Sequence, residues 1–362
     1  MMVLVDCQKQ FRGSFSDDFC RHILQAVHSL KKGNPQVDFG FLADKNPRPG
    51  FGFPATLGTT HIRKTLPGIR NWERVIGTTA RKKKTDMLIC TDGIAHPKLK
   101  IPQVVWLPKP NDFAVGRKKS LAQFQKLIKQ TVANAALLLA SSPTHGSKLE
   151  EEYPGISAKL MNIPPFKEDD INALTWAEKE KARKELSQGK EFLCMDITDC
   201  RKPVFINMLM AFGAFKKRLR TNLQLAIVGE GIKALKKTEE ISTFRYRQDI
   251  IFPSEEEQDK WLAIAYGLMI PARNFQLMLR AFALEIPVIA NSRFYTDPLY
   301  VDNLLTADFD VHEDLTRAII NLYKDEQLRN KTIEKAKASL SGFSDQTTAE
   351  IFWKRVSAII PS

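Results

Sequence analysis

The sequence predicts an α/β fold of two Rossmann-like domains, and three observations carry that expectation. The chain has 362 residues, more than one hydrophobic core usually serves. Short apolar runs alternate with longer amphipathic ones, the pattern of a parallel sheet covered by helices on both faces. The alternation stops near residue 161 and restarts at 191, so two similar halves follow one another.

"MVLVD" (2–6) is apolar and predicts a strand. "DDFCRHILQAVHSLKK" (17–32) carries apolar residues at helical spacing, with Ser16 or Asp17 placed to cap it. Its His22 and His28 carry no further signal. "VDFGFLA" (37–43), "DMLICT" (86–91), "QVVWLP" (103–108) and "AALLLASS" (135–142) predict strands separated by helical stretches. The segment 161–190 contains prolines and then becomes highly charged, which reads as an interdomain linker leading into a short helix. The expected domains are therefore 1–165 and 191–345, joined by a linker at 166–190.

In the second half, "EFLCMDI" (191–197), "LQLAIVG" (223–229), "DIIFP" (249–253), "LMIPA" (268–272) and "PVIAN" (287–291) predict strands. Helices are expected at 204–219, at 255–267 with Ser254 as cap, and at 274–285. Charged helices at about 311–340 and 346–359 finish the chain, and the terminal one, within 346–362, is expected to cross back to the first domain.

Hydrophobic residues at 43% and charged residues at 26% are ordinary for a globular protein. The net charge of +13 favours anionic partners: nucleic acid, acidic membrane or phosphorylated small molecules. The densest basic run, "RKKK" (81–84), suits the end of a helix and has no aromatic interleaving, so no nucleic-acid partner is expected. Cys7, Cys20, Cys90, Cys194 and Cys200 are odd in number and match no metal spacing, which predicts buried thiols in a reducing compartment. With no signal peptide and no apolar run of membrane-spanning length, the expected location is cytoplasmic. The positive charge would allow a peripheral seat on the inner face of an anionic membrane.

The second half resembles the nucleotide-sugar-binding domain of retaining glycosyltransferases of the GT-B fold, in the large family four (glycosyl transferases group 1). The resemblance rests on "FLCMDITDCRKPVFINMLMAFGAFKKRL", on "LQLAIVGEG" closing in Gly-x-Gly, and on "LMIPARNFQLMLRAFALEIPVIANS". In the first half, "QFRGSFSDDFCRHILQAV" and "NAALLLASSPTHGSKLEEEYPGISAKLMNIPPF" are similar to acceptor-domain segments. The resemblance implies two domains facing each other across a cleft. It also implies transfer of a sugar from a nucleotide-diphosphate sugar to a glycan or lipid-linked acceptor, as in polysaccharide biosynthesis, with no cofactor. Three family motifs differ here. Pro108-Lys109 replaces His-Asp, Gly13-Ser14 replaces a glycine pair, and Ala272 and Arg280 stand where the family has two glutamates. Gly13, Ser14 and Lys109 are the implied acceptor-side loop residues.

Expelling a diphosphate requires a metal, cations or backbone N–H groups to neutralise the developing charge. The family's basic loop residue maps onto Arg201 and Lys202, which otherwise read as solvated loop cations. Gly229 and Gly231 flank Glu230 and would let a nucleotide approach the backbone, or simply form a tight turn. Arg273, Asn274 and Gln276 open the 274–285 helix, whose N–H groups would face the ligand. Arg280 either pairs with a phosphate or acidic sugar, or is a solvated helix residue. Asp308 and Asp310 spell Asp-x-Asp, but their place before a helix favours capping, so no metal site is expected. His96 reads as a surface histidine, with a general-base role as the sharper option. Two readings stay open: a metal-independent glycosyltransferase, or a catalytically degenerate relative that binds a nucleotide, glycan or partner protein.

Overall fold

Unbroken apolar runs become the buried strands of two parallel sheets, as expected where both sheet faces are covered. The structure is a computed structural model, and it describes residues 1–6, 37–43, 59–62, 69–90, 93–107, 121–165, 167, 171–229, 231–254, 256–343 and 346–360. The chain packs as two units, Met1–Phe166 with Ser344–Ser362, and Lys167–Phe343.

The first sheet contains β1 (Met2–Asp6), β2 (Asp38–Ala43), β3 (Thr59–Ile62), β4 (Met87–Cys90), β5 (Gln103–Trp106), β6 (Leu137–Ala140) and β7 (Leu160–Asn162). Their order is β3-β2-β1-β4-β5-β6-β7, and every pairing is parallel. Helices α1 (Ile69–Lys82) and α2 (Leu121–Asn134) bury Ile76, Ala80 and Ile128 against one face, beside Leu4, Leu88 and Val105. Helix α3 (Pro143–Glu152) is capped by Ser142, whose hydroxyl accepts the His145 N–H. The opposite face, with Val3, Val5 and Val104, is covered by the terminal helix Gln346–Ser357 through Ala349, Phe352 and Val356.

The second sheet contains β8 (Phe192–Asp196), β9 (Gln224–Val228), β10 (Ile250–Ile251), β11 (Gly267–Ile270), β12 (Val288–Asn291) and β13 (Leu305–Ala307). Its order is β10-β9-β8-β11-β12-β13, again parallel. Its main helices are α4 (Trp176–Ser187), α5 (Lys202–Leu219), α6 (Gln258–Ala263), α7 (Phe275–Ala283), α8 (His312–Lys324) and α9 (Glu326–Ser339). Among the described residues no helix is long and apolar enough to cross a membrane. Cys90 and Cys194 are buried free thiols, and Cys200 is half-buried.

Several local expectations shift. The charged stretch read as a linker at 166–190 folds onto the second unit: Ile171, Leu174, Ala182 and Leu186 pack against its core. A reciprocal capping box between Thr175 and Glu178 starts that helix, a signal legible in "TWAE". The helix expected from 255 begins only at Gln258, because Ser254 hydrogen-bonds the Glu257 carboxylate at 2.8 Å and holds the preceding turn outside the helix. The region 311–340 is two helices, split at Asp325, whose carboxylate accepts the Leu328 N–H at 2.8 Å. Strands β3 and β13 were not expected. Each is short and contains threonine, so no apolar run announces it.

Candidate functional site

β8 and β11 are neighbours in the second sheet although β9 and β10 come between them in sequence. The chain leaves them on opposite faces. Helix α5 follows β8 and packs on one side through Val204, Phe205 and Met208. Helix α7 follows β11 and packs on the other through Phe275, Met278 and Leu279. Such a reversal opens a crevice beyond the carboxyl ends of the strands, the place where open α/β sheets bind ligands.

Asp196 ends β8 in this crevice and is 1% exposed. Its carboxylate accepts the Thr198 N–H at 3.0 Å and the Asn274 side-chain amide at 3.2 Å. Burial pushes its pKa up to about 6, and the Thr198 and Asn274 hydrogen bonds only partly offset that. A perturbed buried carboxylate in a crevice is a functional-site candidate. The sequence reading passed over Asp196, since one Asp after an apolar strand carries no signal of burial.

Gly229 is required here. Its φ is +106°, and a Cβ would lie 2.5 Å from Asp196 Oδ1 and 2.9 Å from the Thr198 backbone nitrogen. Its N–H donates to Gln258 Oε1 at 3.0 Å. Gly231 also has a positive φ, +91°, but faces open space and serves only the turn. Glu230 lies outside the described residues.

Asn274 caps α7, accepting the Leu277 N–H at 3.2 Å while its amide holds Asp196. Its own backbone N–H donates to the buried Tyr295 hydroxyl at 2.9 Å. Phe275 and Tyr300 ring-pack around Tyr295, which fixes the end of the helix. The positive end of the α7 dipole therefore sits beside Asp196. Arg273 lies over the Phe275 ring at 5.7 Å, and Gln276 is buried.

Arg201 stands at the N-cap of α5, 62% exposed, and its guanidinium pairs with Asp310 at 3.0 Å. Arg293, just past β12, pairs with the same carboxylate at 2.6 Å. Two cations thus share one anion at the carboxyl edge of the sheet. Sequence reasoning missed Arg293; Asn291 positions its backbone by accepting the Arg293 N–H at 3.2 Å. Asp310 therefore neither caps a helix nor faces a partner aspartate across a metal site. Asp308 accepts the Asp310 N–H at 2.9 Å, and Asp314 accepts the Asp308 N–H at 2.8 Å. Among the described residues no cluster of three metal-ligating side chains occurs.

Lys202 does not join Arg201. It is 72% exposed and pairs with Glu240 at 2.6 Å; that hydrogen bond raises the lysine pKa and lowers the glutamate's. Arg280 pairs with Asp259 of α6 at 2.8 Å, so it is neither a solvated helix residue nor placed with the Arg201–Arg293 pair. Half-exposed pairs of this kind contribute about 0.2–1 kcal/mol. Arg280→Glu should cost at most about 1 kcal/mol of stability on that scale and leave nucleotide affinity unchanged. Thermal melts and calorimetric titration check both, and a collapse of binding would place Arg280 on the ligand.

The first unit repeats the arrangement. Asp6 ends β1 beside β4 and is buried, and His96 Nε2 lies 3.8 Å from its carboxylate. His96 is buried, not on the surface, because Gln103 pins its main chain with bonds of 2.7 and 2.9 Å. Gly13, Ser14, Pro108 and Lys109 lie outside the described residues, as do His22, His28, Cys7, Cys20 and the helix expected at 17–32.

No protein-family profile matches the chain, and no curated protein sequence matches it. Solved structures do. Anabaena HepE, crystallised with UDP and glucose, superposes with a TM-score of 0.70 at 14% identity, over 99% of this chain and 100% of HepE. WaaG, a glycosyltransferase involved in lipopolysaccharide biosynthesis, gives 0.67 at 14%, over 99% and 100%. S. aureus MnaA, solved with UDP, gives 0.65 at 13%, over 98% and 96%. The chain has the two-domain GT-B fold of Rossmann-like units.

Proposed function

We propose that this protein is a glycosyltransferase that binds a nucleotide-diphosphate sugar at the β8–β11 crevice of its second unit. The observation that carries the reading is the convergence of Arg201 and Arg293 on Asp310, at the same sheet edge as Asp196 and the α7 N-terminus. Two arginines on one carboxylate leave a net positive charge, already oriented, where a leaving diphosphate needs neutralisation. UDP is the nucleotide to test first, because HepE and MnaA are seen with it. The acceptor is a glycan or lipid-linked sugar, and the protein works in the cytoplasm, held at an anionic membrane by its charge of +13. The transfer is of the retaining family-four kind that the sequence resembles.

A second reading, a binding protein without turnover, is favoured by one observation. The two positions where the resemblance implies glutamates hold Ala272 and Arg280, and Arg280 is engaged with Asp259. Hydrolysis of UDP-glucose separates the two: slow release of glucose supports the enzyme, and saturable binding without release supports the binder.

Arg201→Ala with Arg293→Ala should weaken UDP binding tenfold or more, since a charge-assisted contact contributes about 1.5–3 kcal/mol and exposure reduces that. Uridine binding should hold. Lys202→Ala should do less, because Glu240 already occupies that cation. Unchanged UDP affinity in the double variant overturns the site. With cations in the place of a metal, EDTA should leave UDP affinity as it is; binding lost to EDTA and restored by manganese would return Asp308 and Asp310 to the argument.

A further inference from the structure

The basic run "RKKK" plays no part in the crevice described above. The structure places it at the rim of a cavity in the first unit. The cavity holds about 1050 Å³ and lies between α1 and the loop 93–101. Five cations line it: Arg74, Arg81, Lys84, Lys98 and Lys100. All five are exposed, and among the described residues none is in an ion pair and no acidic side chain lines the cavity. The nearby Asp86 is turned away, accepting the Met2 N–H at 2.7 Å. Leu99, Ile101 and Ala80 supply an apolar floor.

Buried walls distinguish this from a solvated helix end, since Ala80, Thr85 and His96 line the cavity and are buried. Lys84, at φ +49°, occupies the left-handed position that closes α1, a place that favours glycine. The closure is made by the Thr85 N–H bonding to Ala80 O at 3.0 Å. Gln188 and Arg220 close α4 and α5 in the same left-handed conformation, so this is an ordinary helix end of the chain, and here it leaves Lys84 at the cavity.

Thr85 precedes β4 and Ile101 precedes β5, so these walls lie at the amino ends of parallel strands, while His96, which also lines the cavity, comes within 3.8 Å of Asp6. We propose that this cavity is a binding site for a multiply charged phosphate group, with Arg74, Arg81, Lys84, Lys98 and Lys100 as its cations. The apolar floor fits the carbon skeleton that carries the phosphate. The inference does not depend on the nucleotide site of the second unit.

The test uses the full chain, with tripolyphosphate as the soluble probe and phosphatidate-containing vesicles as the lipid probe. A cavity variant carries Arg81→Gln, Lys84→Gln, Lys98→Gln and Lys100→Gln. A charge-matched control carries Lys126→Gln, Lys129→Gln, Lys148→Gln and Lys354→Gln, all outside the cavity. Binding of at least one probe should fall tenfold or more in the cavity variant and less than threefold in the control, with UDP affinity unchanged in both. Loss confined to tripolyphosphate identifies a soluble phosphate, and loss confined to vesicles identifies a lipid headgroup. Equal losses in cavity variant and control, or no binding of either probe by the native chain, overturns the proposal.

Discussion

Gly229→Ala should destabilise the second unit by about 3–5 kcal/mol and abolish nucleotide binding with it. Two costs add. A non-glycine residue at positive φ loses about 1–2 kcal/mol. The new Cβ must also displace Asp196 Oδ1 from 2.5 Å and the Thr198 main chain from 2.9 Å. That breaks the hydrogen bond from the Thr198 N–H to the buried carboxylate, and a charged hydrogen bond contributes about 1.5–3 kcal/mol. Gly231→Ala is the internal comparison, because its φ is +91° but nothing stands within 4 Å of a Cβ. It should lose only the conformational term, about 1–2 kcal/mol. Chemical denaturation of the three proteins checks the ranking. Equal stabilities for the two alanine variants would mean that the Asp196–Gly229 approach is not tight.

Asp196→Asn should gain stability relative to the native chain as pH rises from 4 to 6.5, and should weaken ligand binding by the second unit. The folded carboxyl keeps its proton to about pH 6, whereas the unfolded group releases it near 3.8, because burial disfavours the charge. Between these values the native state binds more protons, so stability from this group falls as pH rises. Its contribution is fully present below pH 3.8 and gone above 6. At about 1.4 kcal/mol per pH unit the swing approaches 3 kcal/mol. Asparagine does not titrate, so the variant-minus-native difference should grow from pH 4 to 6.5 and then level off. Denaturation across that range measures it. A flat difference would show that Asp196 is ionised at every pH tested. A pH-dependent difference coupled to a loss of UDP affinity is the mark of a residue kept for a ligand rather than for the fold.

The pattern of elements was legible wherever burial is one-dimensional. "FLCMD" and "QLAIV" became β8 and β9 with their ends within a residue of expectation, because a strand covered on both faces must be apolar throughout. The site was legible only in part. Arg201 was found from its place after a strand, but its partner Asp310 lies 109 positions away, and Arg293 carries no motif at all. Lys202 and Arg280 were grouped with the ligand residues from sequence position, and Glu240 and Asp259 hold them elsewhere.

By itself the sequence determined that this chain makes two parallel α/β units and that it carries an excess of positive charge. Hydrophobic periodicity and composition are local quantities, and each residue contributes to them wherever it ends up. Only the tertiary structure decided which charges are spoken for. The strand order brings Asp196 beside Asn274 and Gly229, and Asp310 between Arg201 and Arg293. Among the described residues, the same packing leaves five cations without an ion-pair partner around one cavity of the first unit. A side chain's chemistry depends on burial and on neighbours that come from distant strands, and no spacing along the chain encodes that adjacency.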